Sequence, residues 1–284
     1  MRVLVTGVGG QLGHDVMLEL ASRSHVGIGV DVAEMDITDA DAVSAFITQA
    51  KPDAVIHCAA YTATERAEEE PDVCRAVNAG GTENIAAVCR ELDIKMLYIS
   101  TDYVFDGKGT EAFEVDDKAA PLSVYGLTKY EGECAVRKLL DKYFIVRISW
   151  VFGINGKNFV RTMLRITEQN NKVSAVNDQI GSPTYTKDLA PLLCDMIQSE
   201  KYGTYHATNE GYCSWFDFAS EIFRLAGRDV EVTPVSSDFF PSKIKRPENS
   251  RLDNSELDKN GFSRLPDWKD ALARYMAELG MMGE

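Results

Sequence analysis

The sequence predicts an α/β protein: a doubly wound parallel sheet in the first half and a smaller C-terminal lobe. Three observations predict it. Short apolar runs, most rich in β-branched residues, alternate with amphipathic stretches through residues 1–150. The first run leads directly into three glycines at a spacing of three, Gly7, Gly10 and Gly13. The second run ends near an acid, Asp31, 18 positions after Gly13.

The alternation implies parallel strands joined by helical crossovers. Strands covered on both faces read as nearly continuous apolar runs, here residues 2–6, 25–31, 54–60, 95–101 and 143–149. Helical stretches lie between them at 11–22, 39–49, 73–92 and 125–140. After Trp150 the rhythm loosens. A helix at 159–168 and a strand at 172–177 precede Pro183, and further helices fall near 188–198 and 215–225. The Pro- and Ser-rich stretch PVSSDFFPSKIKRPENSRL reads as a loop. We therefore expect a Rossmann-type dinucleotide-binding domain over 1–150, with some later segments returning to it. The remainder, 151–284, is expected to be mainly a substrate-binding lobe.

Bulk properties narrow the function. With 284 residues, 45% of them hydrophobic, the chain can bury a full core. No apolar run approaches the ~20 residues of a membrane span. The opening MRVLVTG reads as a strand rather than a signal peptide. Six scattered cysteines without a C-x-x-C pair suit reduced thiols in a cytoplasmic protein. The four histidines, at 14, 25, 57 and 206, show no metal-binding spacing, so no metal is expected. A net charge of −14 disfavours nucleic acid as a partner.

The glycine triplet sits where a tight turn needs positive φ and where backbone must approach a pyrophosphate. The following helix start supplies N–H donors. Gly7, Gly10, Gln11, Leu12 and Gly13 are thus candidate cofactor contacts. Asp31 is placed to take the adenosine ribose hydroxyls. It would repel a 2′-phosphate, which favours NADH while still admitting NADPH. Asp36 and Ile37 are placed to flank the adenine, although Asp36 also belongs to a helix-capping cluster with Thr38 and Asp39. Ala59 and Ala60 leave room for a flat cofactor, with Tyr61 and Thr62 towards the nicotinamide. The fourth strand, KMLYIST, delivers Ile99, Ser100, Thr101 and Asp102 to the ligand-binding edge of such a sheet.

In VYGLTKYEG, Tyr125 and Lys129 share one helical face. Free tyrosine titrates near 10, and a neighbouring ammonium lowers that value towards neutrality. This constellation resembles the extended branch of the short-chain dehydrogenase/reductase superfamily. The resemblance implies that Tyr125 transfers the substrate proton, that Lys129 tunes it and holds the nicotinamide ribose, and that Thr101 steadies the carbonyl oxygen. Sugar-nucleotide dehydratases of that branch often continue Thr-Asp-Glu after strand four. Here Thr101-Asp102-Tyr103 lacks the Glu, which favours plain carbonyl reduction.

The stretches AAYTATERAEEEP, STDYVFDG, PLSVYGLTKYEGE, RISWVFG, NFVRTML, VNDQIGSPT and RPENSRL, in order over nearly the whole chain, resemble the dTDP-4-dehydrorhamnose reductase family. The resemblance implies NAD(P)H-dependent reduction of the C4 ketone of dTDP-4-dehydro-L-rhamnose. It also implies Thr101, Asp102 and Trp150 as contacts to the sugar nucleotide. Trp150 either packs on the nucleotide or fills space between the lobes. Lys243, Lys245, Arg246 and Arg251 form a cationic patch attractive to a diphosphate; the two lysines read equally well as a solvated face. Arg246 and Arg251 lie in the family-like RPENSRL. Some members are Mg²⁺-linked dimers that use glutamates, a set not evident here, where Asp15 and Lys187-Asp188 stand. A monomer or homodimer without a required metal is expected. His57, where the strand pattern often has Asn, reads as structural. The rival readings are a reductase of another nucleotide-linked 4-keto-deoxysugar, an epimerase or dehydratase, and a non-catalytic NADP-binding regulatory subunit, as one relative of this family is for methionine adenosyltransferase.

Overall fold

The computed structural model describes residues 1–283. Ten strands run through the first two thirds of the chain: β1 (Arg2–Thr6), β2 (Val26–Val30), β3 (Ala54–His57), β4 (Lys95–Thr101), β5 (Tyr143–Ile148), β6 (Val151–Phe152), β7 (Lys172–Val176), β8 (Ile180–Gly181), β9 (Thr184–Tyr185) and β10 (Gly203–His206). Five more strands follow: β11 (Asn209–Glu210), β12 (Cys213–Ser214), β13 (Glu231–Val235), β14 (Asn249–Ser250) and β15 (Leu265–Asp267). The helices are α1 (Gln11–Ser22), α2 (Ala40–Ala50), α3 (Thr64–Ala67), α4 (Pro71–Arg75), α5 (Gly81–Glu91), α6 (Val124–Leu139), α7 (Phe159–Ile166), α8 (Thr186–Gln198), α9 (Trp215–Leu225), α10 (Ser255–Lys259) and α11 (Trp268–Glu278).

The central sheet is parallel, in the order β10-β5-β4-β3-β1-β2. Successive side chains alternate between its faces. Val3 and Val5 therefore pack with α1 and α8, through Val16, Leu189 and Leu193. Leu4, Val55 and Tyr98 pack on the other face with Val43, Ile85 and Val136 of α2, α5 and α6. The strand order reverses between β1 and β3, which opens a crevice at their carboxyl ends.

Three local expectations change. The third strand ends at His57, not residue 60, because Cys58 to Ala60 leave the ladder and become cavity wall. The 73–92 helix is broken into α4, a wide π-type turn over Ala76–Gly80, and α5. That turn carries the buried Asn78, whose Oδ1 accepts from the Tyr61 N–H and whose Nδ2 donates back to the Tyr61 carbonyl. The stretch 234–252 is not all loop: β13 pairs with β7 as far as Val235, and β14 pairs with β8.

The second lobe has no large sheet. Its core is aromatic: Phe152, Tyr185, Phe218, Trp268 and Tyr275 are buried, with Phe159, Trp150 and Trp215 packed against them. α11, which the periodicity reading missed, supplies Tyr275 and Met276 to that core. Among the described residues no helix is long and apolar enough to cross a membrane.

Candidate functional site

A cavity of about 730 Å³ opens along the carboxyl ends of β1 to β5 and runs under the second lobe. Its floor begins at the glycine loop. Gly7 has φ +72°, and a Cβ there would lie 2.8 Å from the Ala59 backbone. Its N–H donates to Val30 (2.9 Å), and its own carbonyl accepts from the Gly10 N–H (3.1 Å). Gly13 packs so closely beneath that carbonyl that any side chain would displace the backbone. Gly10, Gln11, Leu12 and Gly13 all line the cavity.

Asp31 lies at the end of β2. Its Oδ2 accepts from the Gly9 N–H at 2.6 Å, and its own N–H donates to Glu34 Oε2 at 2.9 Å. Asp36 and Ile37 are cavity residues too. Asp36 accepts from both the N–H and the hydroxyl of Thr38, and those hydrogen bonds lower its pKa. Asp39 caps α2.

At the end of β3, Ala59, Ala60 and Thr62 line the cavity but Tyr61 does not. The Asn78 clasp turns the chain at 61, and the Tyr61 hydroxyl donates to Glu70 at 2.9 Å. His57 is buried between Thr6 and Thr82. Burial, helped by the nearby Lys129 charge, lowers its pKa to about 3, so it is neutral.

The chemical end of the cavity joins β4 to α6. Ser123 caps α6, its Oγ accepting from the Gly126 N–H at 3.1 Å, and so presents Tyr125 in the first turn. Ile99, Thr101, Asp102, Tyr125 and Lys129 meet there. The Thr101 hydroxyl donates to Asp102 Oδ1 (3.0 Å), while Asp102 Oδ2 is buried without a protein partner. Burial raises the Asp102 pKa to about 6, against the hydrogen bond from Thr101. Tyr103 meets Tyr125 edge-on, ring centroids 5.5 Å apart.

Tyr125 and Lys129 line the same cavity, and the hydrogen bond of Lys129 goes to the backbone rather than to Tyr125. The Lys129 ammonium donates to the Ile99 carbonyl at 2.6 Å and lies 4.2 Å from the Tyr98 ring centre. Burial lowers its pKa to about 7, with Glu133 opposing. Burial likewise pushes the Tyr125 phenol well above its ordinary value. One turn beyond Lys129, the buried Glu133 accepts from Ser100 (2.6 Å) and from Arg147 at two points (2.8 Å each). Burial favours its neutral form, but the Arg147 contacts outweigh that and lower its pKa.

The second lobe supplies the roof. Trp150 lines the cavity with φ +49°, and its ring stacks on Trp215 at 3.7 Å, so it both faces the cavity and packs within the lobe. Arg246 also lines the cavity, donating to Glu65 at 3.1 Å; Lys243 pairs with Glu69. Arg251 does not reach the cavity. It donates to Asn249 Oδ1 (2.9 Å) and lies over the Tyr212 ring at 5.8 Å. The cationic patch is therefore divided, and two of its members are already neutralised by glutamates. Asn155, Gly156 and Lys157 are cavity residues that sequence reasoning missed. They sit in an aperiodic turn, and only the tertiary fold brings them onto the glycine loop.

Asp15 accepts from the Thr186 hydroxyl (2.5 Å), and Lys187 pairs with Glu278 (3.1 Å). Among the described residues no group of three or more His, Cys, Asp or Glu is placed to hold a metal.

A family model described as the RmlD substrate binding domain matches residues 1–281. A dTDP-4-dehydrorhamnose reductase of Mycolicibacterium smegmatis is 39% identical over 280 residues, covering 97% of this chain and 85% of the relative. The chain belongs to the dTDP-4-dehydrorhamnose reductase family. A crystal structure of a family member from Clostridium acetobutylicum superposes with a TM-score of 0.97 at 43% identity, covering 99% of this chain and all of the other. A Bacillus anthracis member, crystallised in complex with NADP, gives 0.95 at 42%, covering 98% and 99%. The cradle described above suits such a dinucleotide. Its floor is glycine backbone that a side chain would block, and Asp31 stands beside it at the end of β2.

Proposed function

We propose that this chain reduces the C4 ketone of dTDP-4-dehydro-L-rhamnose to give dTDP-L-rhamnose, using NADPH or NADH. The observation that carries the reading is the meeting of Thr101, Asp102, Tyr125 and Lys129 in the cavity that begins at the glycine loop. When bound, the nicotinamide supplies a hydride to the ketone carbon. Everything else falls to the protein. Tyr125, its phenol pushed up by burial, stays protonated at neutral pH and donates to the carbonyl oxygen. Thr101 holds that oxygen, and Lys129, anchored on the Ile99 carbonyl, orients the cofactor ribose. Asp102 Oδ2, buried and unpartnered, accepts from a sugar hydroxyl. Trp150 packs on the nucleotide, and Arg246 exchanges Glu65 for the substrate diphosphate. Gly7, Gly10, Gln11, Leu12, Gly13, Asp31, Asp36, Ile37, Ala59, Ala60, Thr62 and Ile99 form the cofactor wall. Tyr61 and Arg251 drop out of the site.

We place the reaction in the cytoplasm, a reading supported by six free cysteines, and expect a monomer or homodimer. The test mixes the protein with NADH or NADPH and enzymatically generated dTDP-4-dehydro-L-rhamnose and follows reduced-nicotinamide absorbance. Net oxidation by wild type, lost in Tyr125→Phe, supports the reading. Epimerases and dehydratases recycle their cofactor, and a regulatory subunit binds without turnover. Either of those results sinks the reading.

A further inference from the structure

We propose that Lys157, on a loop of the second lobe, is the cation that pairs with the diphosphate of the bound dinucleotide. The idea rests on the reductase reading above but assigns a residue that reading leaves unused. Three lysine or arginine residues line the cavity: Lys129, Lys157 and Arg246. Lys129 is buried and committed to the Ile99 carbonyl, and Arg246 is paired with Glu65. Lys157 is exposed and has no ion-pair partner among the described residues, in a chain of net charge −14.

Its placement is not accidental. Asn155 Nδ2 donates to the Gly9 carbonyl at 2.9 Å. Asn158 Nδ2 donates to Gln11 Oε1 at 2.9 Å, while Asn158 Oδ1 caps α7 by accepting from the Arg161 N–H at 3.0 Å. The residues on either side of Gly156-Lys157 are thus fastened to the loop that opens α1. That loop offers amide donors, and the first turn of α1 carries no acid and its N-cap no capping side chain. It also contains no lysine or arginine, so a dianionic diphosphate seated on it would lack a counter-charge. Lys157 supplies one from across the cleft. The other end of the cradle is acidic, with Asp31, Glu34 and Asp36, and has no lysine or arginine between 24 and 50. The diphosphate, rather than an adenosine 2′-phosphate, is therefore the group this lysine meets.

The test is direct binding without sugar substrate: fluorescence titration of NADH and of NADPH into wild type, Lys157→Met and Lys157→Arg, at low and high salt. Lys157→Met should weaken both cofactors by the same factor, about ten- to a hundredfold as for a charge-assisted hydrogen bond, and flatten the salt dependence. Lys157→Arg should recover most of the loss. Unchanged NADH binding in Lys157→Met overturns the proposal. So does a loss confined to NADPH, which would put the lysine at the 2′-phosphate. A raised KM for the nucleotide sugar with unchanged cofactor Kd also overturns it, by assigning the lysine to the substrate. If wild type binds neither cofactor, the reductase reading itself has failed, and the proposal with it.

Discussion

The two walls of the cleft are built on different principles. The cofactor wall is backbone: strand ends, a glycine turn, and small residues at Ala59 and Ala60, all fixed by one parallel sheet. The wall from the second lobe is side chain: Trp150 lines the cleft and is backed by Trp215 and the buried aromatic core of Phe152, Tyr185 and Phe218, with only two- and three-stranded fragments among them. A backbone wall presents the same amides whatever side chains surround it, which suits a ligand common to many enzymes. An aromatic wall is reshaped by single substitutions, which suits selection of one sugar nucleotide.

The sharpest way to separate the walls is Tyr125→Phe. It should lower kcat/KM by about a hundred- to ten-thousandfold, the range of a lost general acid, with cofactor Kd unchanged. Trp215→Ala should cost about 3–5 kcal/mol in urea unfolding, as for other large aromatic truncations. It should also raise the KM for the sugar nucleotide and spare cofactor binding. Equal loss of cofactor affinity would break the division. Gly13→Ala is the converse. A methyl pressed on the Gly7 carbonyl should weaken NADH binding and cost about 1–3 kcal/mol, as overpacking does.

Asp102 stands between the walls and makes a pH prediction. Burial raises its pKa from 3.8 to about 6. The folded state thus holds the proton more tightly than the unfolded one. Its contribution is most favourable below pH 3.8 and is lost as pH rises through about 6. Asp102→Asn should therefore be more stable than wild type at pH 7.5 by about 1–3 kcal/mol, with the difference vanishing near pH 4 in urea titrations. The smallest effect belongs to Arg251→Met, which should leave KM within about twofold, since a residue outside the cavity makes no contact to lose. A tenfold rise would return the arginine to the substrate.

The cofactor wall was legible because regular elements leave regular marks. Continuous apolar runs located β1 and β4 to the residue, and Thr101, Tyr125 and Lys129 arrived together. What escaped has no period. Lys157 lies on a turn, and its role depends on Asn155 and Asn158 finding the glycine loop. Arg251 was misplaced because RPENSRL does not say which way a long side chain turns, and this one turns to Asn249 and Tyr212. Tyr61 was turned aside by Asn78, which the sequence does not advertise as a clasp. The orientation of Lys129 was hidden as well, since helical spacing says which face a residue shares but not which neighbour its long side chain chooses.

The edge strand β10 bears on how the molecule is born. It comes from residues 203–206 yet pairs with β5, and α8, which covers the same sheet, is completed only just before it. A ribosome releasing the chain in order exposes the first five strands and most of the cofactor wall long before either arrives. During that interval β5 is an open edge, and Arg147 upon it lacks its neighbour His206. A fragment cut at residue 150 would keep that edge permanently bare and should aggregate rather than stand as a free nucleotide-binding module. Synthesis itself therefore holds the cofactor half waiting for sequence that belongs, by position, to the other half.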